Sequence, residues 1–361
     1  MESSIGDSVD LVWNKGIAAL CDWRIPDEFV SGRYSEVASQ SGALFTPQSP
    51  DDLVADPEVF SDIQDGDLVW VRLAWLRSFV KQVLPLISSD FVLVTGDSDT
   101  SVPAEVDLAN EIVNHSKVIH WHTQNFDGSA HRDRISPIPI GIDFHTLGAR
   151  AAWGEKQTPP IEQEQEIKAT LKDLPILNDR IPKLYADFGF QPRWDGSLMD
   201  RKRFLKNIPS NLLINQREVF ERSEMWRRRG EYAFVLSPHG YGLDCHRTWE
   251  ALALGHIVVT SSSPLDPLYT GLPVITIQNW SEVTRGNLER WLSLYGNQDT
   301  SALPQLTSRY WADGMRSSIR GNTFLDIHQS YPMPRRLGHS LEGLWARFVR
   351  RAKVTLASRG R

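Results

Sequence analysis

The sequence contains few cysteines and no long apolar run. Its two cysteines, Cys21 and Cys245, lie far apart and match neither a disulfide framework nor the ligand spacing of a zinc site. No window approaches the roughly 18 apolar residues that a membrane-spanning helix requires. The first residues also lack the basic flank and apolar core of a signal peptide. These absences predict a cytoplasmic chain without a structural zinc ion.

Runs of basic residues are absent as well. The net charge is −6, and no Lys/Arg cluster with interleaved aromatic residues is present, so the sequence predicts no nucleic-acid partner. The charge is unevenly divided, because residues 1–130 hold 21 acidic and 7 basic residues whereas the remainder holds 24 and 32. A basic second half suits an anionic ligand such as a nucleotide diphosphate. Solvated arginines on helix faces explain the excess equally well.

The composition is otherwise that of an ordinary globular protein. Of the 361 residues, 41% are hydrophobic and 23% are charged, which argues against a disordered or fibrous chain. The length favours two domains. The 13 tryptophans are unusually many. Tryptophan stacks well on sugar rings, but for any single tryptophan packing in a core is the commoner role.

Strands and helices alternate in the first half of the sequence. Apolar runs and helical spacing predict strands at 67–72, 91–95 and 117–121 and helices at 76–87 and 103–114. This alternation is typical of an α/β domain with a parallel sheet. Ligands bind beyond the carboxyl ends of such strands, so the loops 96–99 and 122–127 should face a cleft.

The alternation stops in a polar passage and then restarts. The second half predicts strands at 183–188, 232–237, 256–260 and 273–277 and helices at 200–206, 216–228 and 246–254. We therefore expect two doubly wound, Rossmann-like domains. The predicted divisions are an acceptor-side domain over residues 1–150, a linker region over 151–180, a donor-binding domain over 181–335 and a C-terminal helix within 336–361.

A strand, a glycine-containing loop and a helix follow one another between Ser237 and Gly255. This order places free backbone N–H groups and the positive end of the helix dipole where a diphosphate can bind. Arg247, at the helix start, offers charged donors that suit phosphate oxygens. Glu250, one turn later, can accept hydrogen bonds from two ribose hydroxyls.

Each element of this segment also has a simpler interpretation. Gly240 and Gly242 could serve only a turn, Arg247 could pair with Asp244, and Glu250 could be a solvated helix residue. Their joint occurrence in this order favours the nucleotide interpretation.

The segment from Leu236 to Trp280 resembles the C-terminal half of exostosin-like glycosyltransferases. The similarity lies in Ser-Pro-x-Gly before the loop, His-Arg-Thr-Trp-Glu-Ala-Leu-Ala-Leu-Gly on the helix and Leu-Pro-Val-Ile-Thr-Ile-Gln-Asn-Trp after it. The resemblance implies a GT-B fold, with two Rossmann-like domains facing a cleft, a UDP-sugar donor, inversion at the anomeric carbon and no obligatory metal or other cofactor. The predicted donor-binding residues are accordingly Ser237, His239, Gly240, Tyr241, Gly242, His246, Arg247 and Glu250.

Inverting transfer needs a carboxylate or histidine that takes the proton of the acceptor hydroxyl, and the first domain should supply it. Asp99 is the favoured base and Asp97 the second choice, although for either residue turn formation in Gly-Asp-Ser-Asp is the commoner role. The same residues imitate the Asp-x-Asp metal motif of the GT-A fold, but the stronger donor signature lies elsewhere. His122, Asp127 and Asp143 are the other residues predicted to face the acceptor side of the cleft.

Two further segments have alternative interpretations. His120 and His122 carry metal-ligand side chains but have no third ligand at a useful spacing, so no metal site is predicted. The stretch 341–354 has the spacing of a basic amphipathic helix. Such a helix either packs across the domain junction or contacts an anionic membrane that carries a lipid-linked acceptor.

Taken together, these features predict an inverting hexosyl- or pentosyltransferase of polysaccharide or glycoconjugate synthesis. It would move a sugar from a UDP-sugar to a hydroxyl of a glycan or lipid-linked glycan, in the cytoplasm or peripherally at a membrane. The alternatives are a GDP-fucose transferase or another nucleotide-sugar enzyme, such as an epimerase, on the same fold. A third alternative is an inactive glycan-binding or scaffold protein, against which Arg247 and Glu250 argue.

Overall fold

The computed structural model describes residues 9–25, 54, 56–188 and 206–318. Within them lie two five-stranded sheets, both entirely parallel. The α/β class with two Rossmann-like sheets is thereby confirmed. Both sheets are covered by helices and loops, which is why most strand residues are apolar on both faces. The strand predicted at 91–95 illustrates this, since all six of its observed residues are buried.

The first sheet follows the order of the chain. Its strands, in the order β1-β2-β3-β4-β5, are Trp23–Ile25, Leu68–Arg72, Phe91–Gly96, Val118–Thr123 and Ile135–Pro137. Helix α1 (Asn14–Ala19) precedes the sheet, α2 (Ala109–Asn114) connects β3 to β4, and α3 (His145–Ala149) follows β5. Between β2 and β3 the chain forms a continuous helical segment at 73–86, with 3-10, α and π turns.

The second sheet reverses its strand order. Its strands are β6 (Ile181–Ala186), β7 (Leu213–Asn215), β8 (Tyr232–Leu236), β9 (Ile257–Ser261) and β10 (Val274–Ile277), and their spatial order is β10-β9-β8-β6-β7. The chain passes from β6 to β7 on one side and then returns to β8 on the other side of β6. The carboxyl ends of β6 and β8 therefore flank a topological switch point, which is the usual ligand-binding position of such sheets.

Among the described residues, five longer helices follow α3. They are α4 (Pro160–Asp173), α5 (Arg222–Gly230), α6 (His246–Ala253), α7 (Arg285–Tyr295) and α8 (Ser308–Ser318). Short 3-10 turns occur at Pro57–Asp62, Leu177–Asp179, Ser210–Leu212, Asp266–Tyr269, Trp280–Glu282, Thr300–Ala302 and Pro304–Leu306. None of the helices among the described residues is long and apolar enough to cross a bilayer.

A continuous apolar core joins the two halves of the molecule. It runs from the first sheet through α6 to α8, where the ring of Trp249 meets that of Trp311 edge-on at 6.2 Å. Helix α8 returns to pack on α1, and the backbone N–H of Val12 donates to the carbonyl of Leu306 at 2.8 Å. Most of the described tryptophans lie in the core, but Trp153 is 44% exposed. The two halves are therefore held together by a shared apolar core and by backbone hydrogen bonds.

The observed elements differ from the predicted ones mainly where side chains cap a turn. The helix expected at 103–114 begins at Ala109, because Asp127 accepts a hydrogen bond from the N–H of Ala104 at 3.0 Å and holds a turn there. The helix expected at 216–228 begins at Arg222, where Glu155 accepts from the N–H of Ser223 at 3.0 Å. The C-terminal helix predicted within 336–361 lies outside the described residues, and the proposed domain boundaries stay predictions.

Candidate active site

The glycine-containing loop after β8 packs against the first domain. A Cβ at Gly242 would lie 2.6 Å from Nδ2 of Asn125, so only glycine fits this close approach. The N–H of Asp244 donates to Oδ1 of Asn125 at 3.0 Å, and the buried Asp244 carboxylate accepts from the N–H of Ile140 at 2.8 Å. Burial raises the pKa of Asp244 to about 6. Asp244 therefore forms a buried hydrogen-bonded contact between the two halves and does not pair with Arg247.

Helix α6 begins at His246 and opens onto a cavity of about 740 Å³. The walls include Asp143 from the first domain, Arg222 from α5, and His246, Arg247 and Glu250 from α6. The cavity lies beside the carboxyl end of β6 and the start of α6. This is the switch point of the second sheet, where the fold itself predicts a ligand.

Three arginines and two carboxylates converge on this cavity. Nη2 of Arg222 lies 3.0 Å from Oε1 of Glu250, and Nη1 of Arg229 lies 3.7 Å from its Oε2. Arg229 Nε also donates to Oδ2 of Asp187 at 2.9 Å, while Arg247 Nε lies 3.3 Å from Asp187 Oδ1. This arginine cluster has a formal charge of +1, which Arg217, Asp143 and Glu218 in the same cavity wall bring to zero for the lining as a whole. Attraction of an anion therefore depends on the local positions of the guanidinium groups.

Some guanidinium nitrogens of the arginine cluster lack a hydrogen-bond partner among the described residues. They are Nη1 of Arg247, Nη1 of Arg229 and Nε of Arg222, all buried in the wall of the cavity. A second contact orients Arg247, whose guanidinium carbon lies 4.7 Å from the ring centre of Phe188. Buried charged donors without acceptors are costly. An anion with several oxygens, such as a diphosphate, would satisfy them once the side chains turn toward the cavity, because each nitrogen exposes almost no surface here.

A carboxylate and two imidazoles meet where the domains face each other. Oδ1 of Asp143 lies 2.9 Å from Nδ1 of His145, and the rings of His145 and His246 are 5.3 Å apart. Burial alone would raise the pKa of Asp143, but the close contact with His145 and the hydrogen bond from the N–H of Thr146 hold that pKa well below its usual value. Nδ1 of His246 lies 2.7 Å from the carbonyl of Gly141 and must donate to it, and burial lowers the pKa of His246. His246 is therefore neutral near pH 7, with its Nε2 unprotonated.

The same three side chains are the one group in the described part of the chain whose ligand atoms could hold a metal ion, lying within 4.8 Å of one another. Their surroundings suit a cation poorly. Both oxygens of Asp143 already accept hydrogen bonds from Thr146, and Arg222 lies 3.0 Å from the Asp143 carbonyl. Positive neighbours compete with a divalent cation, so we favour proton transfer over metal binding here.

The predicted donor-binding residues fall into two groups. His246, Arg247 and Glu250 line the cavity, whereas Ser237, His239, Gly240, Tyr241 and Gly242 belong to the neighbouring loop and do not line it. Ser237 is buried, and its hydroxyl lies 2.8 Å from that of Thr248. His239 Nε2 contacts the carbonyl of Ser261 at 3.1 Å. The contacts of Ser237 and Gly242 therefore indicate a packing role for these two residues.

The predicted bases of the first domain have different surroundings from one another. Asp97 pairs with Lys15 and, at 2.6 Å, with Arg72. Burial alone would raise the pKa of Asp97, but these two cations lower it, so Asp97 is a weak proton acceptor. Asp99 is exposed and does not line the cavity.

The remaining acceptor-side predictions separate in the same way. His122 is fully buried inside the first sheet, where burial lowers its pKa well below the usual value, and neither ring nitrogen has a hydrogen-bond partner among the described residues. Asp127 accepts hydrogen bonds from the N–H groups of Ala104 and Ser129 and so shapes a turn. Asp143 alone of the three lines the cavity.

Four residues of the site escaped the sequence analysis: Arg222, Arg229 and Asp187, which line the cavity, and His145, which does not line it but contacts Asp143. The basic helix Arg-Ser-Glu-Met-Trp-Arg-Arg-Arg held a signal, since Arg222, Trp226 and Arg229 have the 3- and 4-residue spacing of a single buried face. Asp187 follows β6 directly and so occupies a strand end. No local pattern distinguishes His145, whose role depends on its contact with Asp143.

No protein-family model matches the sequence, and no curated protein matches it. Among solved structures, an α1,3-fucosyltransferase matches with a TM-score of 0.38 and 12% identity, covering 92% of this chain and 90% of that one. An α,α-trehalose 6-phosphate synthase from Burkholderia multivorans gives 0.35 and 12%, with coverage of 77% and 75%. A trehalose-6-phosphate structure from E. coli bound with UDP-2-fluoro glucose gives 0.33 and 11%, with coverage of 76% and 75%. Because these TM-scores are below 0.5, any function must be argued from the residues of this chain.

Proposed function

We propose that the protein is a glycosyltransferase that moves a sugar from a nucleotide-sugar donor, with a UDP-sugar favoured, to a hydroxyl of a glycan. One observation carries the proposal. Three arginines with unsatisfied guanidinium nitrogens surround a cavity at the start of α6, on the switch point of a parallel sheet. Such a site suits the diphosphate of a nucleotide sugar, because charge, hydrogen-bond donors and the helix dipole all favour phosphate oxygens.

The donor would lie with its diphosphate against Arg247 and Arg229. Glu250, one turn along α6, already accepts from Arg222 and lies 3.7 Å from Nη1 of Arg229, yet a carboxylate has about four acceptor positions and can also accept the ribose hydroxyls. The leaving group is then a nucleoside diphosphate whose developing charge the arginine cluster neutralises. This electrostatic stabilisation grows as the bond between the anomeric carbon and the phosphate oxygen breaks.

The proton of the acceptor hydroxyl would go to Nε2 of His145. Asp143, 2.9 Å from Nδ1 of the same ring, favours the tautomer with Nδ1 protonated and stabilises the imidazolium that forms. The acceptor oxygen attacks the anomeric carbon as its proton leaves, and the phosphate oxygen departs from the opposite face with the bonding electrons. One displacement of this kind inverts the anomeric carbon. His145 is proposed in place of Asp99 and Asp97 because it contacts Asp143 and His246, both of which line the cavity, although His145 itself does not.

Other assignments use the same cavity. A GDP-fucose transferase or another nucleotide-sugar enzyme would need the same arginines, whereas an inactive glycan-binding protein would have no need of them. Polysaccharide or glycoconjugate synthesis in the cytoplasm, with a glycan or lipid-linked glycan as acceptor, remains the favoured context. Contact with a membrane would depend on the segment 336–361.

Release of nucleoside diphosphate from a panel of nucleotide sugars tests this proposal. The purified full chain is incubated with UDP-glucose, UDP-N-acetylglucosamine, UDP-glucuronate and GDP-fucose, and slow transfer to water is followed by proton NMR. We expect UDP release, with the β anomer formed first from an α-linked donor. An α anomer as the first product from an α-linked donor would contradict inversion. Turnover of GDP-fucose alone would favour a GDP-fucose transferase. If no donor is cleaved, the protein is not an active transferase.

A further inference from the structure

An exposed tryptophan at the mouth of the cavity occupies a backbone conformation that bulky residues rarely adopt. Trp153 and Gly154 have φ of 53° and 83°, between Ala152 and Glu155, which exchange two backbone hydrogen bonds of 3.1 and 2.9 Å. Two central residues with positive φ define a type I′ turn, in which Asn-Gly is the favoured pair. Tryptophan in the first position is therefore unfavourable for the turn itself.

The turn is fixed in place by contacts that do not involve the indole ring. Oε1 of Glu155 accepts from the N–H of Ser223 at the start of α5, and a Cβ at Gly154 would lie 3.4 Å from the side chain of Glu221. Trp153 lines the cavity, and the residue is 44% exposed. Local strain at an exposed aromatic in a cavity wall is typical of a residue kept for binding.

Arg222 connects Trp153 to the Asp143 loop of the proposed acceptor side, and its Nη2 also donates to Oε1 of Glu250 at 3.0 Å. The Arg222 guanidinium carbon lies 5.7 Å from the centre of the Trp153 ring, and its Nη2 donates to the carbonyl of Asp143 at 3.0 Å. Trp153 and the Asp143 loop thus adjoin one guanidinium. Arg247 and Phe188 form a separate pair in the wall.

We infer that Trp153 is a stacking platform for a pyranose ring of the acceptor, an inference that rests on the proposed glycosyl transfer. The flat, exposed face of the indole suits the axial C–H face of a pyranose, while the hydroxyls of that sugar stay free for Arg222 and the Asp143 loop. The residue positions one sugar ring next to the catalytic group and takes no part in the chemistry.

The substitution Trp153→Asn tests the role of the side chain in sugar binding and in stability separately. Trp153→Asn creates the favoured Asn-Gly turn, so the variant should melt at or above the temperature of the wild type. Its binding of methyl pyranosides, measured by saturation-transfer NMR with saturating UDP, should weaken by about tenfold or more because the apolar stacking surface is gone. Trp153→Phe keeps an aromatic face and should retain most of the binding. The affinity for UDP, measured by calorimetry, should be unchanged in both variants.

Several outcomes would overturn the inference. Wild-type protein that binds none of the gluco-, galacto-, manno- and N-acetylglucosaminides, or pyranoside binding that survives in Trp153→Asn, excludes the platform. A fall in UDP affinity would mean that the ring stacks on the nucleobase, and a lower melting temperature would mean that it serves packing. The proposed transfer itself fails by a different result: if the wild type binds pyranosides through Trp153 but binds no nucleotide, the platform stands and the transferase assignment does not.

Discussion

Replacing His145 by alanine should lower the rate of glycosyl transfer by about 10²–10⁴-fold, the usual range for loss of a general base. The reason is that no other imidazole in the described structure is paired with the Asp143 carboxylate, whose Oδ1 lies 2.9 Å from Nδ1 of His145. Affinity for the donor should change little, because the arginine cluster stays intact. Turnover is measured as UDP release with donor in excess, and UDP affinity by calorimetry.

Three variants make this prediction specific. His115→Ala removes a histidine of the same domain that is not paired with Asp143, and its turnover should match the wild type. Asp143→Asn keeps the shape of the pair but loses its charge, so it should reduce turnover and change the pH profile. Asp99→Asn should stay within a few-fold of wild type. If His145→Ala remains active while Asp99→Asn or Asp97→Asn does not, the original sequence prediction of the base holds.

Replacing Arg247 by alanine should weaken UDP binding by about 1.5–3 kcal/mol, or roughly 10- to 150-fold, which is the range for hydrogen bonds to charged groups. The guanidinium lies at the start of α6, held by Asp187 at 3.3 Å and by the ring of Phe188 at 4.7 Å, with Nη1 unsatisfied. Its removal also leaves a buried carboxylate with one partner fewer. Calorimetric titration with UDP measures the effect.

Two controls separate a specific contact from loss of positive charge. Arg228→Ala removes an arginine that pairs with Glu224 on α5 and does not line the cavity, so UDP affinity should be unchanged. Arg247→Lys keeps the charge but loses the planar donors and should bind UDP with intermediate affinity. If Arg247→Ala binds UDP with wild-type affinity, the diphosphate does not bind at the start of α6.

The sequence was sufficient to predict the two parallel sheets, because their strands are continuous apolar runs separated by helical spacing. It did not predict the three-residue strands β1, β5 and β7, which are too short for a periodic signal and depend on their neighbours in the sheet. The sequence also did not predict that the strand order reverses between β6 and β8. Strand order is set by tertiary packing, whereas spacing along the chain is set locally.

The candidate site was predictable only where a local pattern identified it. Arg247 and Glu250 stand at fixed positions after a glycine loop, and both line the cavity. The helical spacing of Arg222 indicated a buried face but not its contact with Glu250, and no local pattern distinguished His145. For Asp97 the sequence correctly predicted a position at the end of a strand. It could not predict the ion pairs with Lys15 and Arg72, which are distant in the sequence.

Binding of UDP in the presence of EDTA tests the central claim most directly, because it depends on the arginine cluster and on no metal ion. We predict that the full chain binds one UDP by calorimetry, with the same affinity with and without EDTA. Ligand at about 100 times its dissociation constant should then stabilise the fold by about 2.7 kcal/mol. Binding that disappears on chelation would instead assign the nucleotide to a metal held by Asp143, His145 and His246 or by Asp97 and Asp99. The absence of binding to UDP, GDP and their sugars under both conditions would contradict the account.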